Sequence, residues 1–217
     1  MNNSVGNTGR LLWAGLRALI VLTIVCGVLY PLAVTGIAQL AFHHQANGSE
    51  IKNSDGEVVG SSLIGQTYLT KDGEPDLKWF QPRPSNGLGT NSVNTRYTLI
   101  LSGATNLSGD NKDLIKQVRD AKAAVVKDNS TATYTVKPSD VPADAVTSSG
   151  SGLDPAISPD YADLQVHRVA DRNGLTVAQV RKLVDAHTNG RALGFMGEPT
   201  VNVLELNIAL QRLTATH

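Results

Sequence analysis

Residues 18–42 read ALIVLTIVCGVLYPLAVTGIAQLAF, a run that contains no charged side chain. As a helix this run would be about 37 Å long, which exceeds the roughly 30 Å of hydrocarbon in a bilayer. A cleaved signal peptide is the alternative, but its apolar region is shorter, about 7–15 residues. The only fair cleavage site is Gly36-Ile37-Ala38. The sequence therefore predicts one uncleaved transmembrane helix over 18–42.

Five residues of this segment favour contact with another protein chain. Gly27 and Gly36 are small and would let a neighbouring helix approach closely. Pro31 would kink the helix, and a bilayer tolerates a kink best where the helix packs on protein. Tyr30 and Thr35 are polar exceptions in an apolar run. We predict Gly27, Tyr30, Pro31, Thr35 and Gly36 as the candidate subunit contacts of the anchor.

Charge is unevenly distributed along the chain. The 19 basic and 19 acidic side chains cancel overall, but residues 1–42 contain only Arg10 and Arg17, so the remainder carries a net charge of −2. Basic residues that flank a transmembrane helix stay on the cytoplasmic side. We therefore predict a single-pass protein of the cell membrane, with a cytoplasmic tail at 1–17 and an extracytoplasmic domain at 43–217.

Composition excludes several classes of protein. A neutral chain with 5% aromatic residues lacks the basic surface and the stacking platforms of a nucleic-acid binder. The single cysteine, Cys26, excludes an internal disulfide and a cysteine-based zinc site. His43-His44 is a possible metal pair, but no third ligand has a convincing spacing to it. We predict neither a metal nor a cofactor that belongs to this chain.

Patterning beyond the anchor predicts one mixed domain of the α+β class. Four helices are predicted, and their capping residues are Asp110, Ser158, Thr176 and Asn202. Short apolar runs predict strands at 58–59, 63–64, 68–69 and 134–136. Prolines and glycines predict a loop at 81–95.

Two glycine-rich stretches invite a catalytic interpretation. The spacing of residues 60–67 is that of a phosphate-binding loop, but Gln66 stands where the lysine is needed. The serine-rich loop at 148–152 could form an anion nest or supply the nucleophile of an exported serine–lysine hydrolase. A lysine in such a pair must be desolvated, whereas the nine lysines lie mostly on polar faces. We predict no catalytic residue and keep the membrane-anchored hydrolase as the alternative.

The order of several motifs along the chain resembles one family, the C subunit of the Kdp-type potassium-transporting ATPase. The resemblance covers nearly the whole length and includes the Tyr30-Pro31-Leu32 stretch of the anchor. The other matching segments lie outside the anchor, at residues 45–49, 59–66, 80–85, 146–155, 165–170 and 197–207.

The resemblance implies an accessory subunit of a high-affinity, ATP-driven potassium uptake complex. Its partners would be a channel-like subunit that carries potassium, a P-type ATPase subunit that hydrolyses ATP, and membrane lipid. No Asp-Lys-Thr-Gly phosphorylation motif occurs in the chain, so it is not the catalytic subunit. ATP would therefore act at the level of the complex.

The resemblance also implies that the chain is a catalytic chaperone, which raises the affinity of the ATPase subunit for ATP. By that description Gln165 contacts nucleotide. The predicted orientation places Gln165 outside the cell, where the effect on ATP would have to be allosteric. The alternative interpretation of Gln165 is an exposed or capping residue of a helix.

Overall fold

The computed structural model forms two compact units, Met1–Ser49 and Glu50–His217. It describes residues 3–53, 56–85 and 102–215. The loop predicted at 81–95 lies outside the described residues from residue 86 onward, and its first five residues are neither helix nor strand.

The first unit is a nearly continuous apolar helix. It consists of α1 (Asn3–Ile24), a π-helical turn (Val25–Leu29), α2 (Tyr30–Ala41) and the short α3 (His43–Ala46). The stretch Gly6–Ala41 is long and apolar enough to cross a membrane; an 18-residue window within it has a mean hydropathy of 2.4, and none of that window is buried inside the structure. The predicted single apolar helix is therefore confirmed.

Pro31 explains the π-helical turn. Proline has no N–H to donate, and its ring collides with the carbonyl four residues back, which here belongs to Gly27. The N–H of Tyr30 donates to the oxygen of Val25, five residues back rather than four. The wider turn accommodates the proline without ending the helix.

The second unit combines helices with two small sheets, as the α+β prediction requires. Strands β1 (Glu50–Lys52) and β2 (Val58–Ser61) form an antiparallel pair. A three-stranded antiparallel sheet has the order β3-β5-β4, from β3 (Ala156–Ile157), β4 (Thr188–Asn189) and β5 (Thr200–Asn202). The helices are α4 (Lys112–Asn129), α5 (Pro159–Asn173), α6 (Val177–Ala186) and α7 (Val203–Ala215).

Three of the four predicted caps are confirmed. The Ser158 side chain accepts from the N–H of the third residue of α5, Thr176 forms a reciprocal capping box at α6, and Asn202 accepts from the third residue of α7 at 3.2 Å. The Asp110 prediction is wrong by one residue. Asn111 caps α4, because its side-chain oxygen lies 2.8 and 3.2 Å from two main-chain nitrogens of the first turn.

Only one of the four predicted strands forms. Residues 58–59 belong to β2, whereas 63–64 lie in a turn, 68–69 make a single isolated bridge, and 134–136 form no strand. At Val136 the main-chain N–H donates to the Ser130 hydroxyl instead of to a neighbouring strand. A short apolar run becomes a strand only where the tertiary fold supplies a partner.

The core of the second unit surrounds α5. Its buried apolar side chains from α5 pack with those of α6, α7, β5 and the segment before residue 85, and they include Val166, Val169, Val180, Val184, Val201, Leu206, Tyr68 and Phe80. Helix α5 is terminated by Gly174, the residue after its last turn, whose φ of 66° is in the left-handed region that favours glycine. Two polar residues of α5, Gln165 and Arg168, are buried among these side chains, whereas Asp163, Asp171 and Arg172 remain exposed.

Gly60, the first glycine of the phosphate-loop-like stretch, is required for packing. A Cβ built there would lie 2.2 Å from Nε2 of Gln66 and 2.8 Å from Cδ2 of Leu204. The Gln66 amide donates to the carbonyl of Val59 at 2.8 Å. No helix occurs in the described residues 61–85, whereas a phosphate loop must open a helix. The phosphate-loop interpretation is therefore wrong.

We expect Gly60→Ala to lower the free energy of unfolding by about 1–3 kcal/mol, as overpacking does in a core. Urea unfolding of the detergent-solubilised chain, followed by circular dichroism, measures this. Gly190→Ala is the matched control, since a Cβ there meets nothing within 4 Å. Equal stability of the two variants would contradict the packing role.

Candidate functional site

Polar side chains from two helices converge on residues 77–81, which read Leu-Lys-Trp-Phe-Gln; we call this the 77–81 segment. The segment is neither helix nor strand, so its main-chain groups have no regular backbone partners. Buried main-chain N–H and C=O groups nevertheless need hydrogen bonds. Side chains of α5 and α7 supply them.

Arg168 of α5 is the centre of this network and is only 2% exposed. Its Nε donates to Oδ1 of Asn129 at 2.8 Å, and its Nη2 donates to Oε1 of Gln165 at 2.6 Å. Its Nη1 donates to the carbonyl of Trp79 at 2.8 Å and also to that of Leu77. A planar fork of donors suits this ring of acceptors.

The hydrogen bonds of the Arg168 guanidinium go to neutral oxygens, and the charges of Asp128 and Asp76 favour the cation from a greater distance. Within the described residues, no carboxylate lies within salt-bridge distance of its guanidinium. Burial lowers the pKa of the Arg168 guanidinium to about 10, which leaves it protonated at neutral pH. Burial of the Tyr161 hydroxyl likewise raises its pKa, to about 12. A buried cation needs all of its hydrogen bonds, so the network forms as a unit.

Gln165 lies one turn before Arg168 and is fully buried. Its Oε1 accepts from the N–H of Gln81 at 2.7 Å, and its Nε2 donates to the carbonyl of Gln81 at 3.1 Å. The interpretation of Gln165 as an exposed or capping residue is wrong, because α5 is buried on this face. The sequence did carry a signal, since Gln165 is spaced four residues from Tyr161 and from Val169, which are both buried.

Asn207 of α7 binds both main-chain groups of Phe80, as Gln165 binds those of Gln81. Its Oδ1 accepts from the N–H of Phe80 at 2.9 Å, and its Nδ2 donates to the carbonyl of Phe80 at 2.9 Å. Asn173, at the end of α5, donates to the carbonyl of Lys78 at 2.8 Å. Sequence reasoning missed Asn207 and Asn173, because nothing local shows which distant main chain they bind.

A second polar cluster fixes the serine-rich loop. Arg83 contacts a carboxylate oxygen of Asp154 at 3.2 Å and donates to the carbonyl of Ser148 at 3.3 Å. The Ser85 hydroxyl donates to the carbonyl of Gly152. Ser149 Oγ accepts from the N–H of Gly152 at 3.0 Å. These bonds hold the loop as structure.

The features expected of a hydrolase are not brought together. All nine lysines lie within the described ranges, and none is buried, so none is desolvated as a general base must be. His43 contacts Gln39 at 3.0 Å through its Nδ1. Within residues 3–53, 56–85 and 102–215, no three His, Cys, Asp or Glu side chains are grouped as metal ligands.

A cleft of about 320 Å³ lies beside the network and is lined by Arg83, Asp128, Arg168 and neighbouring residues. Gln165 is not among its lining residues. Gln165, which the resemblance connects with nucleotide, has both the oxygen and the nitrogen of its side-chain amide hydrogen-bonded inside the domain. Its contact with nucleotide stays a prediction.

The five candidate contacts of the anchor cluster at and after the π-helical turn. A Cβ built at Gly36 meets nothing within 4 Å, and one at Gly27 meets only Cγ2 of Thr23 at 3.9 Å. Tyr30, Pro31 and Thr35 are exposed along the same stretch. The fold of this chain does not itself require small residues here.

An exposed apolar helix followed by an α+β domain defines a single-pass membrane protein without a recognisable active site in the described residues. The family described as KdpC, K+-transporting ATPase, c chain, matches residues 12–212. The chain therefore belongs to the KdpC family of potassium-transporting ATPase subunits, as its motifs predicted.

Three relatives document this membership, each described as a potassium-transporting ATPase KdpC subunit. The protein of Streptomyces avermitilis is 77% identical, with 100% of both chains covered. That of Streptomyces coelicolor is 67% identical over 99% of this chain and 98% of the relative. That of Mycobacterium tuberculosis strain H37Rv is 44% identical over 94% of this chain and 99% of the relative.

Replacing Arg168 tests the importance of the network. We expect Arg168→Lys to lower the free energy of unfolding by about 1–3 kcal/mol, because one ammonium leaves buried acceptors unpaired. Urea unfolding in detergent measures this, and Arg119→Lys on an exposed position of α4 is the control. A stability equal to that of the control would show that the fork of hydrogen bonds is dispensable.

Proposed function

We propose that this chain is a non-catalytic accessory subunit that stabilises a high-affinity potassium uptake complex. Its partners in the proposal are a channel-like potassium-binding subunit and a P-type ATPase subunit. It carries no cofactor of its own, and ATP acts at the level of the complex. Membership of the KdpC family supports the complex.

The proposed orientation has the N-terminus in the cytoplasm and the main domain outside. Two arginines precede the apolar run and no acidic residue does, whereas Glu50 and Glu57 follow it. This asymmetry favours retention of the N-terminal side in the cytoplasm. The domain then lies across the membrane from cytoplasmic ATP.

In the proposal, the anchor holds the complex together through the stretch that contains Gly27 and Gly36. Glycine within a helix costs about 1 kcal/mol relative to alanine. No contact inside this chain requires it at Gly36. A neighbouring transmembrane helix that approaches closely would explain the small residue.

We expect Gly36→Leu to abolish co-purification of the other subunits from native membranes while the chain itself still inserts. The leucine side chain would separate helices that pack at this point. Gly36→Ala is the conservative control and should retain most of the complex. Gly15→Leu makes the same chemical change elsewhere in the helix, where a Cβ also meets nothing, and should have no effect. Full recovery of the complex with Gly36→Leu would refute this contact.

We further propose that the chain acts as a catalytic chaperone, and that its effect on ATP affinity is allosteric. The burial of Gln165 supports this, since its side chain bonds both main-chain groups of Gln81. Removing it would disturb the 77–81 segment rather than a nucleotide contact. An allosteric effect requires that the domain contact two states of the pump differently. Couplings of this kind typically change affinity about 5–150-fold.

Two matched substitutions separate an allosteric role from direct contact. Gln165→Met and Asn207→Leu each unpair one N–H and one C=O of the 77–81 segment, at Gln81 and Phe80, and Gln165→Met also removes an acceptor of Arg168. We expect both variants to weaken ATP binding by the reconstituted complex, and Gln165→Met at least as much as Asn207→Leu. Gln117→Met, at an exposed position of α4, should leave binding unchanged.

The measurement is the ATP dependence of potassium-stimulated hydrolysis, with the subunit composition of each preparation checked. Loss of ATP affinity in Gln165→Met alone, with Asn207→Leu behaving as the parent, would contradict the allosteric proposal and favour contact with nucleotide. Loss of the whole complex in both variants would show that the network serves assembly only.

A further inference from the structure

The hairpin that joins β4 to β5 carries three large apolar side chains into solvent. Leu193 is 83% exposed, Phe195 71% and Met196 52%. They belong to the stretch Ala-Leu-Gly-Phe-Met-Gly at 192–197, which we call the 192–197 tip. No side chain of the tip has a hydrogen-bonding nitrogen or oxygen. Exposed apolar groups that occur together mark an interaction surface more often than single ones do.

Four of the six main-chain N–H groups of the tip are hydrogen-bonded within the hairpin. Ala192 and Met196 pair in an antiparallel bridge, with both N–H···O distances at 2.9 Å. The N–H of Gly194 donates to the carbonyl of Arg191 at 3.0 Å, and that of Phe195 to Ala192 at 3.3 Å. A protein partner can supply missing hydrogen bonds, but hydrocarbon cannot. These main-chain amides can therefore enter an apolar environment without losing a partner.

Two successive residues of the tip have a left-handed backbone conformation. Leu193 has a φ of 53°, and Gly194 has a φ of 81°. A left-handed conformation is unfavourable for leucine, so local backbone preference does not explain why a leucine occupies this position. Strained residues of this kind cluster at functional sites.

The residues that flank the tip, Arg191 and Glu198, carry opposite charges. Arg191 Nη2 lies 2.6 Å from Oε2 of Glu198, so the two charges that flank the tip are paired. If the tip enters a bilayer, this ion pair would lie among the polar headgroups, and the apolar side chains would reach deeper, to the acyl chains.

Two considerations favour lipid over a separate protein partner. The apolar helix ends at Ala41 and the second unit begins at Glu50, so only eight residues tether the domain to this helix. A tethered group needs only weak intrinsic affinity, because its effective concentration at the surface is high. Three side chains are also far fewer than the roughly 20–30 residues a side of a stable protein interface.

We propose that the 192–197 tip inserts Leu193, Phe195 and Met196 into the boundary between the headgroups and acyl chains of the bilayer that holds the anchor. The expected depth is about 5–10 Å. The domain then has a second, reversible attachment to the membrane besides its covalent anchor. This attachment is independent of any effect on ATP.

The test uses the full chain with its single cysteine replaced, Cys26→Ser. An environment-sensitive fluorophore is attached at Phe195→Cys and, separately, at Leu193→Cys. The protein is reconstituted into vesicles of phosphatidylcholine and phosphatidylglycerol, without other subunits. We expect blue-shifted emission at both sites and strong quenching by a nitroxide on the lipid acyl chain. Lys116→Cys is the control, because its side chain is 77% exposed on a polar face, and it should be quenched by aqueous iodide instead.

Two results overturn the proposal. The first is iodide quenching at both tip positions equal to that at residue 116, which would place the tip in water. The second is shielding of the tip only when the other subunits are added, without acyl-chain quenching, which would assign the tip to a protein partner. Circular dichroism of each labelled protein verifies the fold, and labels at exposed positions should not disturb it.

Discussion

A buried guanidinium without a carboxylate partner is the interaction on which the outer domain depends. Arg168 donates its hydrogen bonds to neutral oxygens, from the Asn129 and Gln165 side chains and the carbonyls of the 77–81 segment. Removing a cation from water is expensive unless every donor finds an acceptor. The position of the segment therefore depends on side chains of α5 and α7, and on Asn129 of α4 through Arg168. Polar networks of this kind specify one arrangement more sharply than apolar packing does.

Several motifs that identify the family take part in the hydrogen-bond network around Arg168. The stretches at 80–85, 165–170 and 197–207 are distant in sequence, yet Gln165 and Arg168 bond the 77–81 segment together with Asn207. The Arg83 cluster adds the stretch at 146–155. These motifs are thus explained by how the domain folds, without reference to a ligand. A regulatory effect of Gln165 on the pump would then be exerted through the shape of the domain.

The sequence was sufficient where the signal is local. The uncharged run at 18–42 predicted the apolar helix, and the polar residues before α5, α6 and α7 predicted their caps, because each depends on neighbours within a few residues. Three of the four strand predictions failed, since a run of two or three residues has no structure until a partner strand is placed beside it. The hydrogen-bond partner of Gln165 could not be predicted for the same reason, because it lies 84 residues away. Only the spacing of Gln165 from buried residues of α5 indicated that it faces inward.

The π-helical turn has a consequence for the anchor as a whole. One additional residue in a helical turn rotates everything beyond it by about 100° about the helix axis. A stripe of side chains followed through α1 therefore does not continue along the same line in α2. The part of the helix before Val25 and the part after Leu29 turn different faces toward a given direction. A single membrane helix of this shape can face one neighbour in one leaflet and a second neighbour in the other.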